Sequence, residues 1–323
     1  MHMMRISLIN SNVLGILAAV GAAVSFSIID VTFKFLSQGY PLYQMVFIRS
    51  VVALSLLFVI IIPLEGGYKI LRTQNIRLHV MRSLAVLFAN ISFFSGLAVL
   101  PLAEAIAISF ATPLIVTLLS VLFLKERVGP WRWGAVMVGF SGILVIVKPG
   151  LDAFQPYALL PFFGSCGYAT LHILTRRAGG SDKAATLSFY PTFAFLVISA
   201  LAGVVFGHGG WATGTPVLDV VLKPWAWPEG IEWAIFAVAG VSGAIGGYLV
   251  GQAYRMCEAG LVAPFEYVAM PLAVVWGVLV FAEWPEPSVW LGSALIIGAG
   301  LVSLWRETRT PGPPPRPRPR SSG

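Results

Sequence analysis

Ten long apolar runs separated by short polar gaps dominate the chain, at roughly residues 13–36, 41–62, 78–99, 102–124, 130–148, 156–175, 184–206, 231–256, 260–282 and 286–305. Each is about the length of helix that crosses a ~30 Å hydrocarbon core. With 57% hydrophobic and 11% charged residues, and a mean hydropathy of +0.84, the chain carries too little charge to clothe one soluble core. Unpaired backbone groups are costly in lipid, so spans of this length must be helices, and the strict alternation of a transmembrane barrel is absent. The expectation is an all-α integral membrane protein with ten transmembrane helices. The first run follows only Arg5 as a charge and is long enough to remain a span instead of a cleaved leader.

The basic residues sort into every second gap. If the side of the first residues is called side A, then Arg5, Lys69, Arg72, Arg77, Arg82, Lys125, Arg127, Arg132, Arg176, Arg177, Lys183, Arg255, Arg306, Arg309 and the tail arginines fall there. Side B receives only Lys148 and Lys223, while Lys34 and Arg49 lie inside spans. Positive loops stay cytoplasmic, so side A is expected to be the cytoplasm, with both termini inside. Topology therefore accounts for the net charge of +7, and no nucleic-acid partner is expected.

Tryptophan gives the same map. Trp131, Trp133 and Trp305 fall at side-A ends, and Trp211, Trp225, Trp227, Trp233, Trp284 and Trp290 at side-B ends, the interface positions of such residues. Only Trp276 lies deep in a span. The one long side-B loop, residues 207–230, reads either as a plain connector or as a short amphipathic segment from Val217 to Trp227 resting in the interface. Cys166 and Cys257 have no external partner, so no structural disulfide is expected. Residues 308–323, rich in Arg-Pro alternation, read as an extended cytoplasmic tail.

The chain also repeats itself. Ser95 to Pro113 (SGLAVLPLAEAIAISFATP) aligns without gaps onto Ala253 to Pro271 (AYRMCEAGLVAPFEYVAMP), and FLKERVGPWRWGAVMVGFSG from Phe123 matches FAEWPEPSVWLGSALIIGAG from Phe281. Two five-span units, 12–149 and 156–307, are expected. Because five is odd, the second enters the membrane from the opposite side, and two inverted copies are the architecture of alternating-access transporters. Gly247-x-x-x-Gly251 predicts a close helix approach, and the glycines of the fifth span (Gly134, Gly139, Gly142) and the tenth (Gly292, Gly298, Gly300) predict tight packing of the repeat-closing helices.

The start LPLAEA at Leu100 to Ala105, the mid-helix Pro113, the Lys125-Glu126-Arg127 turn and a fifth span ending ILVIVKPG resemble the EamA repeat of the drug/metabolite transporter superfamily, over about Asn12 to Glu307. Asp30-x-x-x-Lys34, Phe47-Ile48-Arg49 and Arg82-Ser83 are similar to the branch with bacterial S-adenosylmethionine uptake carriers, while riboflavin carriers and amino-acid exporters lie in the same superfamily. The resemblance implies a carrier in the bacterial inner membrane, as a monomer or homodimer, with eight helices around a cavity and no cofactor. The second copy departs from the first, having Glu283-Trp284-Pro285-Glu286 in place of the Lys-Glu-Arg turn, as suits a turn facing outside.

Charges inside spans mark the candidate path for substrate or ion. A charge at a helix centre costs roughly 2.5–3.5 kcal/mol on insertion scales. Asp30 and Lys34 share a helix face at i, i+4. Asp30 and Arg49 are about level in depth at 1.5 Å per residue, which predicts a contact, either as a structural ion pair or as part of the path. Glu104 starts the fourth span as a cap or as a path residue. Glu266 with Tyr267, between Pro264 and Pro271, is a candidate for substrate or proton contact, since a carboxylate in a dry cavity can carry a proton. Tyr168 and His172 share a face of the sixth span, and Tyr248 and Tyr254 can add an aromatic wall, or serve as interface anchors. Phe93, Phe94 and Phe110 read as packing.

A phosphate-binding loop is absent, the four His residues are scattered, and no metal-ligand spacing occurs, which argues against an ATPase and a membrane-embedded enzyme. Isolated charges in place of a continuous polar stripe argue against a pore. What remains is a secondary carrier of a small zwitterionic or heteroaromatic metabolite, more in the direction of uptake than export, with a proton as a possible coupling ion.

Overall fold

The computed structural model describes residues 2–73, 75–125, 129–148, 155–178, 182–256 and 265–309. Several expectations therefore fall outside the described residues: Glu126 and Arg127 of the Lys-Glu-Arg turn, the repeat junction at 149–154, Cys257, Pro264, and the tail from residue 310, together with the side chains of Arg5 and Tyr254.

Within them the chain is all helix. The main elements are α1 (His2–Leu36), α2 (Leu42–Leu56), α3 (Ile62–Glu65), α4 (Ile76–Leu97), α5 (Leu102–Ser109), α6 (Thr112–Leu124), α7 (Pro130–Val147), α8 (Leu159–Ala178), α9 (Ala184–Phe206), α10 (Pro216–Leu222), α11 (Glu232–Met256), α12 (Ala269–Phe281) and α13 (Pro287–Arg309). Seven helical stretches are long and apolar enough to cross a membrane, against the ten expected; the apolar parts of α7, α12 and α13 (Trp133–Val147, Ala269–Phe281 and Pro287–Val302) are shorter. α12 is short because it begins after a break at Tyr267–Val268.

Three helices change pitch inside the bundle. A π-helical turn, Leu57–Ile61, joins α2 to α3. A turn at Phe110–Ala111 separates α5 from α6, whose first turn carries Pro113. The corresponding turn at Tyr267–Val268 precedes α12, whose first turn carries Pro271. Proline lacks the N–H that an unbroken helix would use there. Both breaks fall on the same part of the aligned repeat segments.

The most extensive helix contacts are α1 with α11, α4 with α8, α7 with α13, and α2 with both α9 and α11. Small residues permit them. A Cβ on Gly142 would lie 2.7 Å from Gly292 O, and one on Gly292 would lie 2.6 Å from Gly142 O, so α7 and α13 touch backbone to backbone. A Cβ on Gly251 of α11 would lie 2.8 Å from Ala184 Cβ of α9, the close approach that the Gly-x-x-x-Gly spacing predicts. Gly134 and Gly298 face no atom within 4 Å and take no part in the predicted packing of the closing helices. Around the outside, Val13, Leu17, Phe88, Val204 and Leu279 are exposed, as a lipid-facing surface requires.

The loop after α9 carries the short helix α10 and is tied to the helix ends. Tyr43 Oη donates to Lys223 O at 2.8 Å, Lys223 Nζ donates to Gln38 O at 2.9 Å, and Ala226 N donates to Gln44 Oε1 at 3.1 Å while the Gln44 amide donates back to Ala226 O. Trp225 packs on Tyr43 and Phe47. Tyr40 donates to Glu232 Oε2, and burial together with the nearby Glu232 and Glu229 carboxylates pushes its hydroxyl up to about 12. The loop is thus strapped across the side-B ends of α1 and α2.

Candidate functional site

Arg49 lies midway along α2 and is wedged between rings. Its guanidinium carbon is 5.3 Å from the centroid of Phe33 on α1 and 5.2 Å from that of Phe195 on α9, both within cation–π range. Glycines of α11 give it room: a Cβ on Gly240 would be 3.0 Å from Arg49 O, and one on Gly243 would be 3.8 Å from the Arg49 side chain. The predicted Asp30–Arg49 contact does not form. The two groups act on each other electrostatically, but no ion pair within 4 Å joins them, because the two rings draw the guanidinium away along the helix interface. Both side chains are half-buried, keeping an accessible edge inside the bundle.

Tyr168 of α8 shares the electrostatic field of Asp30 and Arg49. Its hydroxyl accepts a 3.0 Å bond from Asn90 Nδ2 of α4. Trp276 of α12 donates its indole N–H to Ser27 Oγ of α1 at 3.3 Å. A narrow cavity lies between these helices, lined by Ser27, Asp30, Leu102, Ile106, Ala269, Ala273 and Trp276. Its walls come from α1, from α5 before the first break and from α12 after the second. Asn90, Phe33, Phe195 and Ser27 were not singled out from sequence. Asn90 carried a legible signal, being the one amide within the apolar stretch of α4.

Lys34 and Asp30 start from the same helix, but they serve different layers. Lys34 Nζ pairs with Glu283 Oε1 at 2.8 Å, donates to Leu100 O, and lies 5.2 Å from the Phe281 ring centroid. Glu283 Oε2 in turn accepts from Leu102 N at 2.9 Å. This seals α1, the start of α5 and the end of α12 at side B. Glu104, in the first turn of α5, is within electrostatic reach of Lys34, Lys148 and Glu286 and belongs to the same layer. Lys148 pairs with Glu286 at 2.5 Å, and that ammonium holds the Glu286 carboxyl below the usual carboxylate range.

The remaining candidates lie toward side A. Tyr248 Oη accepts from Gln252 Nε2 at 2.7 Å, and Gln252 also donates to Glu65 Oε1 at 2.9 Å, so Tyr248 joins a polar chain between α3 and α11 and not the central cluster. Tyr267 packs edge-on to Phe110, 5.2 Å between centroids, with its hydroxyl against Gly300, and so wedges α13 apart from the first break. Glu266 and His172 are half-buried, on the turn before the second break and one helical turn beyond Tyr168. Of the histidines, His79, in the first turn of α4, is more enclosed than His172. It is fully buried, 3.0 Å from Asp182 Oδ2, stacked on Tyr190 at 4.2 Å, and beside Arg82, which donates to Thr175 Oγ1 at 2.9 Å. Among the described residues no group of three His, Cys, Asp or Glu side chains gathers as a metal site.

Comparison with known proteins bears on this arrangement. The model of the EamA-like transporter family matches residues 13–148. The chain is 30% identical to a riboflavin transporter of Brucella anthropi over 84% of its own length and 91% of the relative's. It is 28% identical to an S-adenosylmethionine uptake transporter of Rickettsia felis, over 88% of this chain and 90% of that one. A solved crystal structure superposes with a TM-score of 0.57 at 19% identity, over 94% of this chain and 98% of its own, which establishes a shared fold. With this similarity running along most of both chains, the protein belongs to the EamA-like transporter family.

Proposed function

We propose that the chain is a secondary carrier that moves a small zwitterionic or heteroaromatic metabolite, such as S-adenosylmethionine or riboflavin, across the bacterial inner membrane by alternating access. The observation that carries the reading is the placement of Asp30 in a narrow cavity between two broken helices, within electrostatic reach of Arg49. Charges inside a membrane bundle mark substrate or ion paths, and interrupted helices in corresponding positions of two halves point to the binding site.

The same reading takes ten spans, in two inverted repeats at 12–149 and 156–307. The packing supports it. If the first five spans exchange with the second five, the α1–α11 contact becomes α8–α4, and α2–α11 becomes α9–α4, while α7–α13 and α2–α9 map onto themselves; all of these contacts occur. Side A is then cytoplasmic with both termini inside, and the Lys34–Glu283 layer closes the external mouth. The name of the S-adenosylmethionine relative supports uptake as the direction.

Purified protein in proteoliposomes, offered a panel of labelled metabolites with and without an imposed proton gradient, tests the reading. Saturable flux of an organic solute is expected, accelerated by the gradient if a proton couples. Absence of saturable flux for every solute overturns it.

A further inference from the structure

The carrier reading leaves the substrate class open, and the bonding state of the central charges narrows it. Arg49 has N–H donors but no hydrogen-bond acceptor among the described residues. Phe33 and Phe195 occupy positions 5.3 and 5.2 Å from its centre, leaving the edge of the guanidinium as the free part. That edge presents parallel N–H bonds, the geometry that matches a carboxylate in a bidentate pair.

Asp30 is in the converse condition. Its carboxylate lines the cavity and accepts a hydrogen bond from no described residue. A buried charge without partners is strongly destabilising, whereas one that gains a hydrogen-bonded counter-charge is not. The two groups feel each other without closing to an ion pair. A gap between opposite charges, each unbonded, is filled by a solute bearing the complementary charges. Tyr168 adds to the positive end: its oxygen already accepts from Asn90 at 3.0 Å, so its O–H remains to donate. The rest of the cavity wall is Ser27, Trp276, Ile106, Leu102 and two alanines, a mostly apolar surface suited to the solute's body.

We propose that the site recognises an α-amino-acid head group: a free carboxylate on the Arg49 edge and the Tyr168 hydroxyl, and an ammonium on Asp30. A neutral ring system without a carboxylate lacks the group that Arg49 requires. The inference rests on the carrier reading and narrows it.

The test uses the full chain in proteoliposomes with three labelled probes: S-adenosylmethionine, its decarboxylated form, and riboflavin. Saturable uptake of S-adenosylmethionine is expected, with the decarboxylated form and riboflavin each weaker by about tenfold or more, the equivalent of one lost charge-assisted hydrogen bond. Arg49→Gln should raise KM for S-adenosylmethionine by a similar factor. Arg49→Lys keeps the charge without the fork and should fall between. The comparison of probes on the unaltered protein guards against a variant that fails to fold. Equal uptake of the decarboxylated form, preferred uptake of riboflavin, or an unchanged KM in a folded Arg49→Gln overturns the inference. Each of those outcomes leaves the carrier reading standing. Absence of uptake of all three probes also overturns the inference, and the wider metabolite panel then decides the carrier reading separately.

Discussion

Lys34 and Glu283, 249 residues apart in sequence, meet at 2.8 Å and close one end of the bundle. The same glutamate also accepts from Leu102 N at 2.9 Å, so a single side chain links the turn after α12 to both α1 and α5. Glu283→Gln leaves the ammonium of a buried Lys34 with the Leu100 carbonyl as its main acceptor. The expected loss is about 2 kcal/mol, the worth of a charge-assisted bond at a partly exposed site. If this layer is the external gate, a cysteine placed at Ile106 in a cysteine-free background will react several-fold faster with a membrane-impermeant maleimide in the Glu283→Gln protein. Equal labelling rates would remove the gate.

Gly142 and Gly292 set a second test. A side chain on either meets the other's backbone carbonyl at under 3 Å, which no rotamer relieves. Gly292→Val should therefore lower the thermal unfolding midpoint in detergent, at an overpacking cost of about 1–3 kcal/mol. Gly134→Ala, with open space around it, should change stability by less than about 0.5 kcal/mol. A similar loss in both would mean that helix propensity, and not the α7–α13 approach, governs these positions.

Asp182→Asn addresses the side-A cluster. The carboxylate touches a histidine with no exposed surface, which is also stacked on Tyr190 and flanked by Arg82. Weakening that bond should cost about 1–3 kcal/mol and loosen the link between α4 and α9. Hydrogen exchange at residues 182–190 reads this directly; unaltered protection would show that the stack alone holds the cluster.

The Glu286–Lys148 pair predicts a small pH dependence. Because the Glu286 carboxyl is held below its usual range in the fold, the pair contributes stability above the unfolded carboxylate pKa of about 4.3, and that contribution is lost as pH falls through the lower folded value. The glutamate side chain is 67% exposed, so the contribution is below about 1 kcal/mol and is screened by salt. Glu286→Gln should match the parent protein at pH 3 and fall slightly below it at pH 7. A larger gap at pH 3 than at pH 7 would reverse the sign and refute the assignment.

Fold class was legible because lipid leaves the backbone few options, so apolar length alone specifies helices. Asp30 and Arg49 stood out for the same reason, as charges where charge is costly. Their separation was not legible. Depth along a helix follows from counting residues, but side-chain direction depends on Phe33 and Phe195, and Phe195 lies far along the chain. Lys34 shared a face with Asp30 by spacing, yet its partner sits on a turn of the other half. Asn90 was passed over although it is the one amide in the apolar stretch of α4, because the sequence criterion for a path residue rested on charge and aromatic rings. His79 was missed because a polar residue at a span's edge reads as facing water, whereas Asp182, just before α9, and Tyr190, within it, pack against the imidazole.

The π-helical turn Leu57–Ile61 has a geometric effect on what precedes and follows it. In an unbroken α-helix the sixteen residues from Arg49 to Glu65 make roughly four and a half turns at 3.6 residues each, which would aim the two side chains in nearly opposite directions. The wider turn takes up part of that rotation. Arg49 can then lie against Gly240 and Gly243 while Glu65 reaches Gln252 further along the same helix, α11. One local change of pitch lets a single span present a cation and an anion to one neighbour and keep its opposite flank free for lipid.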